Sequence, residues 1–113
     1  MPAAEKPFMR FTHSKALRNR TLKVLDAIDE EDDPTEYCED LAEIIVELNE
    51  AGIKFFFMDP LHKLKMGSAI ERTADFGIYG TLRIMGPAVR TIVGRMDKRQ
   101  LRKVSKIMRG MMD

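Results

Sequence analysis

Two histidines, one cysteine, an acidic run and a methionine-rich tail are the groupings in this 113-residue chain whose residue types suggest chemistry. His13 and His62 have no ligand spacing to each other, and His62 reads as a surface residue on a short helix. Cys38 stands beside Glu39 and Asp40, whose charges oppose a thiolate, the reverse of what a nucleophile needs. It reads as a small core residue near Tyr37 and Leu41. The run Asp29 to Asp40 can be laid on a calcium-loop template, but Pro34 falls where that loop requires glycine. No Glu-x-x-His pair is present for a carboxylate-bridged metal centre. Met108, Met111 and Met112 could ligate a soft metal, but read more simply as adaptable packing. There is no glycine loop ending in Gly-Lys-Ser/Thr. Gly77-Ile78-Tyr79-Gly80 matches a GXXG nucleic-acid loop only as a string within a helical pattern. The expectation is no catalytic residue, no metal and no cofactor.

The stronger signal is electrostatic. Residues 1–53 carry 6 Lys/Arg against 13 Asp/Glu, a net of −7, and residues 54–113 carry 13 against 5, a net of +8. At the C-terminus, Lys98, Arg99, Arg102, Lys103, Lys106 and Arg109 share one helical side with no acid among them. Leu101, Val104, Ile107, Met108, Met111 and Met112 share the other. A cationic face backed by flexible methionines suits an acidic partner groove or an anionic membrane surface. The plainer reading is a terminal helix that closes the bundle, its cations solvated or meeting the acidic second helix. Nucleic acid is a further reading, since six cations imply steep salt dependence. A pI of 7.9 and the lack of aromatics on that helix argue against it.

The elements that must position these residues are helices. Residues 68–96 hold Ile70, Ala74, Gly77, Ile78, Thr81, Leu82, Met85, Ala88, Val89, Ile92 and Met96 on one side at about 100° per residue. Arg72, Arg83 and Arg90 lie opposite, flanked by Phe76 and Tyr79. The small residues Ala74, Gly77, Thr81 and Ala88 in the middle of the apolar side let another backbone approach. They define either a core helix gripped by its neighbours or a self-association face. Gly86-Pro87 is expected to kink or break this element. An unbroken 29-residue helix of about 43 Å would overrun a compact fold of about 13 Å radius of gyration, project, and invite oligomerisation.

Ser14 marks a first helix to about Glu31, with the stripe Leu17, Thr21, Val24, Leu25, Ile28. Its cations come early and its acids late, against the helix dipole, so those charges answer to something else in the fold or to a partner. Asp33-Pro34 opens a second helix expected to stop at Gly52, with Tyr37, Leu41, Ile44, Ile45 and Leu48 inward. Ile53 to Met58 reads as a buried irregular or helical link, and Asp59-Pro60 as the start of a short helix through Met66. Asp97 with Gln100 forms a capping pair for the last helix.

Taken together, the expectation is an all-α bundle of four to six helices: a flexible arm at 1–13 and one helical domain at 14–113. A single cysteine, no secretory apolar run and no 18-residue apolar span point to a cytoplasmic protein. The functional expectation is a non-enzymatic helical interaction or adaptor protein. It would self-associate as a homo-oligomer through Ala74, Gly77, Thr81, Ala88, Met108, Met111 and Met112, and meet an acidic protein partner through the six C-terminal cations. The alternatives are a peripheral membrane or lipid-binding protein, and a nucleic-acid-binding protein.

Overall fold

A computed structural model describes residues 10–112, and the first nine residues of the arm expected at 1–13 lie outside the described residues. The Ser14 side chain accepts the Leu17 N–H at 3.0 Å and starts α1 (Lys15–Glu30). Leu17, Thr21, Leu25 and Ile28 are its buried stripe, and the Thr21 hydroxyl donates to the Leu17 carbonyl at 2.8 Å, so its burial leaves no orphan donor. Asp33 then caps a 3₁₀ turn (Pro34–Tyr37), accepting from both the backbone N–H and the hydroxyl of Thr35. That turn leads into α2 (Cys38–Ile53), a π-helical turn (Lys54–Met58) and α3 (Asp59–Leu64). α4 (Ser68–Gly94) and α5 (Lys98–Met111) complete an all-α chain, with no strand among the described residues. The α5 cap is a reciprocal box: Asp97 accepts from Gln100 N at 2.8 Å, and the Gln100 side chain accepts from Asp97 N at 3.0 Å.

Two expected interruptions do not occur. Gly52 does not stop α2; helical backbone continues through Ile53 and Asp59, whose φ and ψ are −62°, −44° and −63°, −46°. The expected link at Ile53 to Met58 is this π turn, and it is only partly buried: Met58 is 4% exposed, Phe57 52%. Pro60, which lacks an N–H, follows directly where Asp59 N–H reaches back five residues to Lys54 O. The wider turn takes up the register that a proline would otherwise disrupt. Gly86-Pro87 does not divide α4 either. Proline there removes one backbone bond, while Ile78, Leu82, Met85, Val89, Val93 and Met96 stay in phase across it, all buried or half-buried. The helical run from α2 ends at Lys65, held in the left-handed region at φ 52°, followed by Gly67 at φ 102°.

The core cluster lies at one end. Leu25 and Ile28 from late α1, Leu41 and Ala42 from early α2, Val93 from late α4 and Leu101 from early α5 form the core cluster. From that hub the helices run outward, α4 along α2 and α5 along α1. The radius of gyration is 16.6 Å and the extents are 51 × 43 × 23 Å, against about 13 Å for a compact chain of this length. The unbroken α4 is the projecting element. Lys65→Gly removes a side chain from a left-handed position that costs roughly 1 kcal/mol for an ordinary residue, a gain partly offset by glycine's freedom in the unfolded chain. Urea unfolding is expected to show a gain of about 0.5 kcal/mol; a loss would contradict the assigned backbone.

Candidate functional site

The six cations of α5 divide into two groups. Arg109 bridges to Asp26 at 2.6 Å and to Asp29 at 3.0 Å, both late on α1. Those bonds, led by the one to Asp26, hold its guanidinium above its ordinary pKa. Arg102 donates to the carbonyl oxygens of Ile28 at 3.4 Å and Glu31 at 3.0 Å, placing a cation on the C-terminal carbonyls of α1. At the other end, Arg18 donates to Met112 O at 3.3 Å, so α1 and α5 run antiparallel. The charge order of α1 that opposes its own dipole is thus spent on α5, and on α2 through Arg20, 2.8 Å from Glu47. The countercharge for α5 is the first helix and not the second. Lys98, Arg99, Lys103 and Lys106 are exposed and have no ion-pair partner among the described residues.

The apolar side of α4 is also divided. One half lies on α2; the other is open. Ile70 is 45% exposed, Ile84 78% and Ile92 62%, and Gly77, Thr81 and Ala88 are exposed between them. A Cβ at Gly77 would meet nothing within 4 Å, and Thr81 and Ala88 are exposed, so no neighbour grips these three small residues, contrary to the core-helix reading. Ala74 falls on the covered half and is half-buried, while Ile84, absent from the expected face, joins the open one. The hydroxyls of Thr73, Thr81 and Thr91 donate to carbonyls four residues back at 3.0, 2.9 and 2.9 Å. They therefore present methyl groups, and the strip from Ile70 to Ile92, about 33 Å long at 1.5 Å per residue, carries no charge.

The remaining chemistry-bearing residues are scattered. His62 sits 3.8 Å from Glu71 on the surface. The acidic run forms the end of α1 and the 3₁₀ turn, with Pro34 buried. Cys38 is half-buried; burial, then the Asp33 charge, raises its thiol pKa, so Asp33 rather than Glu39 or Asp40 is the acid that acts on it. Phe11 contacts both His13 and Phe56, and these three line a groove between α2 and α5 together with Met108, Met111 and Met112. Among the described residues no helix is long and apolar enough to cross a membrane. No protein-family model, curated protein or solved structure matches this chain.

Two outcomes test this geometry. Arg109→Ala is expected to lower unfolding stability by about 0.5–1 kcal/mol, as for a partly exposed pair. The loss should shrink in 1 M salt, where screening acts within about 3 Å; an unchanged midpoint would remove the bridge. Because the folded state raises the Cys38 pKa, less thiolate is present at a given pH when folded. Iodoacetamide labelling at pH 8 should therefore be slower in buffer than in urea, and faster labelling of the folded chain would contradict the site.

Proposed function

We propose that this chain is a non-enzymatic helical interaction protein that self-associates through α4 and presents the free cations of α5 to an acidic partner. The observation that carries the reading is the open strip of α4. An apolar, uncharged face of this length on a helix already projecting from the fold is the kind of surface that marks an interaction site. The small residues in it let a second helix come close enough for backbone and methyl contacts on both sides. The strip is separate from the half of α4 that packs on α2, so a second copy can cover it without unfolding the first. Lys98, Arg99, Lys103 and Lys106 supply a second, polar surface for an acidic partner, and Arg102 and Arg109 serve the fold instead.

Sedimentation equilibrium is the direct test. The expected mass exceeds the 13.0 kDa of one chain at micromolar concentration. Thr81→Arg with Ala88→Arg should return the protein to a monomer with unchanged helical circular dichroism, since both positions are exposed. Arg83→Glu, on the opposite side, should leave the mass as it is. A monomer at every concentration would refute the reading.

A further inference from the structure

One side of α5 is committed to the fold. Leu101 and Ser105 are buried there, and Val104 and Met108, half-buried, share the groove with Ile45 and Leu48 of α2. Arg102 and Arg109 border that side, bound to the carbonyls and acids of α1. The outer side is free. At 100° per residue Lys106, Arg99 and Lys103 fall within an arc of about 60°, and Ile107 and Met111 occupy roughly the next 80°. Lys98 adds a fourth exposed cation in the first turn. Ile107 is 50% exposed and Met111 76%. α5 itself contains no acid, and Asp26 and Asp29 on the neighbouring helix are neutralised by Arg109. The free face is therefore a row of cations with an aliphatic pair alongside it.

That combination discriminates between acidic partners. A nucleic-acid backbone offers phosphates to the cations but no apolar phase to Ile107 and Met111. An acidic protein groove takes a basic amphipathic helix by its apolar side. In α5 that side holds Leu101, so a groove could reach it only by breaking the Arg102, Arg109 and Arg18 bonds to α1. The interface of an anionic bilayer takes the outer face as it stands. Its phosphates meet charges carried on flexible stems, and the acyl boundary just beneath accepts the two aliphatic side chains. Among the described residues no helix is long and apolar enough to cross a membrane, so the contact is one in the plane of the surface.

We infer that the acidic partner of α5 is an anionic bilayer, along which the helix lies with its four free cations at the lipid phosphates and with Ile107 and Met111 at the acyl boundary. This deepens the reading of α5 as a docking face and rests on it; self-association through α4 is independent of it.

The test is co-sedimentation of the full chain with vesicles of phosphatidylcholine alone or with about one-third phosphatidylglycerol. Each cation near an anionic surface contributes about fivefold in partitioning, so the anionic vesicles should bind several hundredfold more tightly. Lys103→Glu with Lys106→Glu should weaken that binding by at least about 25-fold. Ile107→Ser with Met111→Ser leaves the charge unchanged and should weaken it about tenfold. All four positions are exposed, so helical circular dichroism should not change. In a Cys38→Ser background, a polarity-sensitive fluorophore on Met111→Cys should shift to the blue with anionic vesicles, and one on Ile84→Cys should not. Equal binding to both vesicle types, or to neither, overturns the assignment. So does indifference to the serine pair, or a blue shift on Ile84→Cys in place of Met111→Cys. Poly-L-glutamate and a duplex oligonucleotide are the comparison ligands. Capture of either without anionic vesicles would replace the bilayer with an acidic protein or a nucleic acid and leave the docking face standing. Binding to none of the three would remove the docking face as well.

Discussion

Six side chains where four helices cross hold this molecule together: Leu25, Ile28, Leu41, Ala42, Val93 and Leu101. Each comes from the end of its helix nearest the Asp33-Pro34 turn or the Asp97 cap, so burial is concentrated at one pole. A chain of this size buries a limited share of its surface in any arrangement. Placing the core at one pole leaves the far ends of α2, α4 and α5 to find cover elsewhere. Phe57, Leu64, Met66 and Phe76 are exposed on elements that supply no residue to the hub or on the far part of α4, the groove opens where α2 and α5 part, and α4 keeps half of its greasy side bare.

Electrostatics reinforces the same pole. Arg102 seats on the carbonyl end of α1, and Arg109 reaches Asp26 and Asp29 in the last two turns of the same helix. Arg18 meets the carbonyl end of α5. Antiparallel helices whose charges each oppose their own dipole become mutually stabilising once paired, because each supplies the countercharge that the other's terminus lacks. The opposed halves of the sequence are thus partly reconciled inside the fold. What remains unpaired on α5 is a smaller and more localised set than the whole cationic face.

Much of the fold was legible in the residues because it is local. Ser14, Asp33 and the Asp97–Gln100 pair cap helices through bonds spanning two or three residues, and the stripe of α1 follows from spacing alone. Gly52 misled because it weakens a helix by a limited amount, which packing of the flanking turns on another helix outweighs, and Pro87 leaves α4 undivided for the same reason. For the candidate surfaces, the row of α5 cations was readable. Which two are consumed was not, since Asp26 and Ile28 are brought to Arg109 and Arg102 only by the tertiary fold. The reversed charge order of α1 was the trace of it. The groove left no pattern, because His13, Leu48 and Met108 come from three distant parts of the chain. Ile84 was missed because it sits at the edge of the apolar arc and packing on α2 turns that edge outward.

The π turn at Lys54–Met58 holds one more residue per hydrogen-bonded loop than the α-helical backbone on either side of it. Excising one residue there would restore an ordinary helix and swing all that follows by about 100°. Phe56 and Phe57 would leave the lining of the groove, and α4 would depart from α2 along a new heading. One residue's worth of backbone thus sets the aim of half the molecule.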